Sequence, residues 1–278
     1  MDGLNFLYKS AAGRVFLKAL CAPALSRTAG RFLDSPLSHF LIKPFVKKNN
    51  IDLSDYQTDG IKTFNQFFRR KIKDGKRPFD LRPESLCAPC DGLLSAWTIS
   101  EDGGSVIPVK QSRYTVGRLL QNEELAKKYY GGLCLVFRLC VDNYHRYAYA
   151  DGGKKGPNVF IPGRLHTVRP IALETLPVFV ENAREYTVVQ SEDFDGLLQM
   201  EVGAMLVGRI VNFEQEAVVA RGGEKGFFEY GGSNIILLVQ KGKASVRGDI
   251  EKNSAAGIET PVKMGECVAV GKKIKGMI

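Results

Sequence analysis

Phe227-Phe228-Glu229-Tyr230-Gly231-Gly232-Ser233-Asn234-Ile235-Ile236-Leu237-Leu238-Val239 is the stretch from which the rest of the chain is best approached. Two glycines and a serine stand directly before an apolar run of strand length, with no alternation of polar residues. That pattern predicts a buried strand. Glycine before such a strand lets the backbone take conformations that a Cβ would resist. A serine hydroxyl in that turn can point at the carbonyl carbon of the residue before it. Attack there is an N→O acyl shift, the first step of self-cleavage between Gly232 and Ser233. The plainer reading is a tight turn feeding a core strand, since glycine and serine are ordinary turn residues.

Working outward, the 278-residue chain is long enough to bury a sizeable core, and its 44% hydrophobic and 25% charged content is that of a globular protein. Its net charge of +9 favours an acidic partner such as anionic lipid, nucleic acid or an acidic substrate. The excess is concentrated at the start. Lys9, Arg14, Lys18, Arg27, Arg31, Lys43, Lys47 and Lys48 face only Asp2 and Asp34 within residues 1–50. Apolar residues recur there at helical spacing (Leu4, Leu7, Tyr8 and Ala11, then Val15, Phe16, Ala19 and Leu20). No apolar run reaches the roughly 18 residues of a spanning helix, so the segment is expected to lie on an anionic bilayer, to cap the core, or both. Phe64 to Lys73 continues as a basic helix, broken at Asp74-Gly75.

From about residue 86, short apolar runs alternate with Gly, Pro and Asp. Leu93–Thr98, Ser105–Val109, Gly132–Val141, Arg146–Ala150, Thr167–Pro170, Glu185–Gln190, Leu197–Val207, Ile210–Phe213 and Ile235–Gln240 are expected strands, and Val116–Tyr129 a helix. Strands without regular intervening helices argue against a parallel doubly wound fold. The expectation is an α+β chain: amphipathic helices over residues 1–80, then a mostly antiparallel, sheet- or barrel-like body over 81–278.

Six cysteines occur, and no secretory signal pattern opens the sequence, so reduced thiols are expected. Cys87-Ala-Pro-Cys90 has no second ligand pair to complete a zinc site, and no metal is expected. A serine nucleophile needs a base, and a base an orienting carboxylate. His145 in Asn143-Tyr144-His145-Arg146, His166 in Arg164-Leu165-His166-Thr167 and Asp91 in Pro89-Cys90-Asp91-Gly92 are the candidates. Each has a bland alternative: a satisfied core histidine, or an Asp-Gly turn. A nucleic-acid binder lacks a recognisable motif here, and Val262-Lys263-Met264-Gly265 has only a passing likeness to the lysine hairpin of biotinyl or lipoyl carriers.

Taken in order, these segments resemble the phosphatidylserine decarboxylases, pyruvoyl-dependent membrane enzymes. The resemblance rests on Thr63 to Lys71 with Arg77-Pro78, Pro89 to Gly92, Val109-Lys110 with Tyr114 to Val116, Tyr144-His145-Arg146, Val202 to Ile210, and Lys225 to Ser233. It implies that Ser233 attacks the Gly232 carbonyl and ends as a covalent pyruvoyl group, leaving a β chain of 1–232 and an α chain of 233–278. That group would form a Schiff base with phosphatidylserine and accept the electrons released with CO₂. The resemblance further implies peripheral attachment to the cytoplasmic side of the cell membrane, and a homodimer is an additional possibility. A pyruvoyl enzyme acting on another amino acid or serine-headed lipid, and a non-enzymatic membrane-binding homologue, are the alternatives. Two departures stand out: Asn234 where the cleavage motif commonly has threonine, and Ala148 where many members carry the histidine proposed as cleavage base. His145 or His166 would then take that role, with Asp91 as orienter.

Overall fold

The computed structural model describes residues 3–103, 108–109, 112–168, 170–173, 176–204, 209–229 and 233–271. Its centre is the strand Ser233–Val239, every residue of which is buried. It lies antiparallel between Leu133–Leu139 and Asp195–Val202. The sheet continues through Gly92–Thr98 to Thr260–Val262 on one side, and through Arg184–Ser191 and Gly153–Lys155 to Ala217–Val219 on the other. Val159–Ile161 adds to Arg184–Ser191. The order has two free ends, so the sheet is open rather than closed into a barrel.

Alternation of side chains divides the interior in two. Ile235, Leu237 and Val239 join Leu135, Phe137 and Leu139 on one face, while Ile236 and Leu238 join Val136, Leu198 and Met200 on the other. Burial on both faces is why the run is apolar without a break. Each such side chain contributes about 1.5–3 kcal/mol by leaving water.

The first face is covered by the amino-terminal helices and by a small sheet of Ile210–Asn212, Glu224–Phe228 and Arg146–Ala148. The helices Gly3–Lys9 and Ala11–Leu20 set Tyr8 and Leu17 into that core, and Cys21 follows them in. Pro23–Leu33, Pro36–Leu41 and Ile42–Asn49 follow. The apolar stripe read from the sequence is split: Leu17 is buried, whereas Val15 and Phe16 are 67% and 62% exposed.

The other differences have local causes. The expected helix over 116–129 is two, Val116–Leu120 and Glu123–Lys127, because Gln121 takes φ 48° and Asn122 caps the second helix. The basic helix stops at Phe68, after which Lys71–Ile72 pairs with Tyr56–Gln57. Residues 165–168 form no strand, and Pro170–Leu173 is a helical turn. Within the expected strands at 105–109 and 197–207, residues 105–107 and 205–207 lie outside the described residues. The six cysteines are free thiols, four of them buried.

One polar network ties the small sheet to the large one. Lys225 Nζ donates to Glu201 Oε2 at 2.5 Å and to Asn212 Oδ1 at 2.8 Å, with both ionic side chains fully buried. Burial pushes Glu201 up and Lys225 down, and their mutual attraction opposes both shifts. Glu201→Leu, which strands the ammonium, is expected to cost about 3–5 kcal/mol in urea denaturation. Glu201→Leu with Lys225→Met is expected to recover most of that loss.

Candidate active site

The site is set by register at one end of the large sheet. Arg184, Val202, Asn234, Arg138 and Leu93 pair in one row across five strands. One residue further out lie Gly203, Ser233, Leu139 and Gly92, with Ser233 opposite Leu139. Gly92 is required there, because a Cβ would come within 2.8 Å of the Arg138 carbonyl oxygen. Asp91 and Ser233 therefore reach the same sheet end two strands apart, about 9.5 Å in backbone terms.

Ser233 is fully buried, and its Oγ has no hydrogen-bond partner among the described residues. Strand alternation puts its side chain on the face of Ile235, beneath the small sheet and the amino-terminal helices. The Asn234 amide points to the opposite face, and neither its oxygen nor its nitrogen finds a partner among the described residues. Gly231 and Gly232, the other side of the expected scissile bond, lie outside the described residues.

Asp91 is held tightly. Arg77 Nε donates to Oδ1 at 2.9 Å and Arg77 Nη2 to Oδ2 at 2.8 Å, and the Met264 amide donates to Oδ1 at 2.9 Å. Arg77 Nη1 also donates to Asp55 at 3.0 Å. A carboxylate with this side-on fork and a backbone donor is fixed in position.

His145 occupies the turn that follows the strand opposite Ser233. The Cys140 amide donates to Asn143 Oδ1 at 2.8 Å and closes that turn. His145 Nδ1 lies 2.9 Å from the Asn143 carbonyl oxygen. A carbonyl only accepts, so Nδ1 carries the proton, and in the neutral ring Nε2 is the basic atom. The ring lies 4.0 Å, centroid to centroid, from Phe68. The Phe228 amide donates to the His145 carbonyl at 2.9 Å, which ties the histidine to the segment leading into Ser233. Hydrogen bonds from Ala148 to Pro89 and from Cys87 to Ala150 run Cys87–Asp91 antiparallel to 146–150. That brings Asp91 beside the start of Arg146–Ala148. Ser233, Asp91 and His145 thus share one corner of the molecule.

His166 lies apart from that corner. Its Nδ1 is 3.2 Å from Cys21 Sγ and its Nε2 is 3.3 Å from Glu181. The Asn182 amide nitrogen donates both to the His166 carbonyl and to Gly203, anchoring the segment to the sheet. Burial lowers the His166 pKa, partly opposed by Glu181, and burial pushes the Cys21 thiol up to about 11.

The sequence did not single out Arg77 and Asn143 as fixing Asp91 and His145. An asparagine two residues ahead of the histidine was the one local signal. Nor did it show Arg70, a buried guanidinium lying 4.2 Å over Tyr56 and 4.8 Å over Phe67. At Ala148, the position is buried and its carbonyl accepts from Gln199 at 3.1 Å.

Comparison with known proteins places the whole chain rather than any one residue. A family model described as phosphatidylserine decarboxylase matches residues 64–270. Phosphatidylserine decarboxylase proenzyme 2 of Clostridium acetobutylicum is 42% identical over 264 residues, covering 95% of this chain and 90% of that protein. The proenzymes of Ruminiclostridium cellulolyticum and Clostridium botulinum strain Hall are each 38% identical, covering 95% and 97% of this chain and 90% and 92% of theirs. The chain is thus a carbon–carbon lyase of the decarboxylase class. It belongs to the phosphatidylserine decarboxylase family.

The lowered His166 pKa has a consequence for stability. The folded state resists protonation of this ring, so the unfolded chain binds more protons below the ordinary value of 6.5. Stability from the neutral ring is complete above pH 6.5 and falls as pH drops below it. His166→Gln is expected to flatten that part of the melting-temperature profile, measured between pH 7.5 and 5 beside the parent.

Proposed function

We propose that this chain converts phosphatidylserine to phosphatidylethanolamine and CO₂, using a pyruvoyl group made from Ser233 by self-cleavage after Gly232. The observation that carries the reading is Ser233 itself: fully buried, without a partner for its hydroxyl among the described residues, at the sheet end that Asp91 and His145 share. A side chain with no donor or acceptor to lose can become a ketone carbonyl without orphaning a neighbour, so the residues present fit the group.

In maturation, His145 Nε2 takes the Ser233 hydroxyl proton as Oγ attacks the Gly232 carbonyl, and the Ser233 nitrogen leaves as the amine of an ester. Removal of the Ser233 α proton then expels the Gly232 carboxylate, and water replaces the nitrogen of the resulting dehydroalanine as ammonia. The Asn143 carbonyl accepts from Nδ1 and orients the ring, and the Asp91–Arg77 ion pair stands at the same sheet end. His145 is preferred to His166 as base, since the His166 ring lies against Cys21 and Glu181. When formed, the ketone beside an amide carbonyl supplies an electron sink for the pair left by departing CO₂. Buried Phe68, Tyr147 and Phe228 give that corner an apolar lining, in which charge interactions are stronger than in water.

We assign the exposed face of residues 1–80 to membrane attachment, with the protein on the cytoplasmic face, and catalysis to residues 81–278, to which Phe68 and Arg77 add contacts from the earlier segment. Among the described residues no helix is long and apolar enough to cross a membrane. Val15, Phe16, Leu37 and Phe40 are nonetheless 62–74% exposed beside the basic residues of the same segment. Apolar and cationic groups together suit an anionic bilayer surface. The exposed apolar groups favour a lipid substrate over a soluble amino acid.

A denaturing mass spectrum is expected to show two chains meeting at Gly232–Ser233, the smaller blocked at its amino terminus, and an intact Ser233→Ala chain. An uncut wild-type chain would overturn the proposal. Phe16→Asp with Phe40→Asp is expected to weaken pelleting with anionic vesicles at least tenfold while leaving self-cleavage intact.

A further inference from the structure

A cavity of 960 Å³ opens between the helix Ala11–Leu20 and the segment around His166. Lys9, Arg14, Lys18 and Arg164 line it, together with Leu17 and Leu176. None of the four cations makes an ion pair with a described residue, and the acidic lining residue, Glu181, lies 3.3 Å from His166. The helix is divided accordingly. Arg14, Leu17 and Lys18 turn to the cavity, while Val15 and Phe16 face away and are exposed.

Register places this cavity relative to Ser233. Ser233 lies beside Gly203, Gly203 donates to the Ala183 carbonyl at 2.9 Å, and Ala183 donates to the Arg164 carbonyl at 2.8 Å. Arg164 is therefore three strand spacings from Ser233, about 14 Å between backbones. Tyr8 and Leu17, which line the cavity, belong to the same core face as Ile235. An extended arginine together with the short bonded path from a serine amine to its phosphodiester spans that gap.

We infer that this cavity is the phosphate-recognition subsite for the lipid substrate, with Arg164 as its principal ligand and Arg14 and Lys18 supporting it from the helix. The inference rests on the proposed decarboxylation of a serine-headed phospholipid. The phosphodiester is the better partner than the carboxylate. A cation fixed on the carboxylate would stabilise the ground state and lose its partner as CO₂ leaves, which opposes the reaction. The phosphodiester keeps its charge throughout, so binding it anchors the substrate without cost to the chemical step. An arginine fork suits its paired oxygens. The amino-terminal helix then serves two surfaces at once, the bilayer with Val15 and Phe16 and the headgroup with Arg14 and Lys18.

The test uses self-cleaved enzyme and dihexanoyl phosphatidylserine below its micelle concentration, so that attachment to a bilayer plays no part. Arg164→Ala is expected to raise KM about tenfold with kcat within about twofold, the effect of one charge-assisted hydrogen bond. Arg164→Lys is expected to restore part of the loss. Glycerol 3-phosphate is expected to compete with substrate in the wild type and about tenfold less well in Arg164→Ala, whereas inorganic phosphate alone competing equally in both would assign that competition elsewhere and overturn the inference. An unchanged KM, or a fall confined to kcat, would also overturn it. A KM rise seen only with vesicles would assign these cations to membrane attachment and overturn it too. Failure of the underlying reading looks different: the wild type itself would stay uncut, or would be cut and leave phosphatidylserine untouched.

Discussion

The structure depends on the double-sided burial of Ser233–Val239. A strand packed against Leu135 and Phe137 on one face and Val136 and Met200 on the other cannot slip by one residue without reversing every side chain. That constraint fixes the position of Ser233 more firmly than any contact the serine makes. The same ladder sets Gly92, and with it Asp91, at the neighbouring sheet end. Ser233 is positioned by the backbone hydrogen bonds of its strand, whereas Arg77, Asp91 and His145 are carried by bends and turns beside the strands.

The electrostatics of the corner follow from how its groups are held. Arg77 occupies both oxygens of Asp91 in a side-on fork, and the Asn143 carbonyl accepts a hydrogen bond from His145 Nδ1. Neither group is left to choose its geometry. Elsewhere the buried charges are structural: Glu201 and Lys225 join two sheets, and Arg184 is held by the carbonyls of Leu119, Val180 and Asn182. The Glu201–Lys225 and Arg184–Leu119 contacts join elements distant in sequence, and each binds one layer of the fold to another.

Much of the sheet was legible because its strands carry a clear local signal. The unbroken run Ile235–Val239 and the short apolar or β-branched runs within Leu93–Thr98 and Glu185–Gln190, set off by turn residues, are such signals. The strands Gly153–Lys155, Ala217–Val219 and Ala244–Val246 did not, since three residues hold too little pattern to separate from loop. The helix Gly248–Ala255 was missed because its buried side is little more than Ile250 and Ser254. The candidate site divides in the same way. Ser233 is marked by its glycines and Asp91 by its turn, but apart from Asn143 two residues ahead of it little local separates His145 from His166. Their environments are set by Asn143 nearby in one case, and by Cys21 and Glu181, distant in sequence, in the other.

The central placement of Ser233–Val239 also changes what unfolding means for the mature protein. Cleavage as proposed would leave the 233–278 piece threaded through the middle of the sheet, hydrogen-bonded on both edges and retained without a peptide link. Folding is then a one-chain event completed before the cut, whereas reassembly after denaturation is a meeting of two chains, dependent on concentration. A protein made this way folds once. Its working lifetime is governed by how slowly the sheet opens, because the path by which it formed no longer exists.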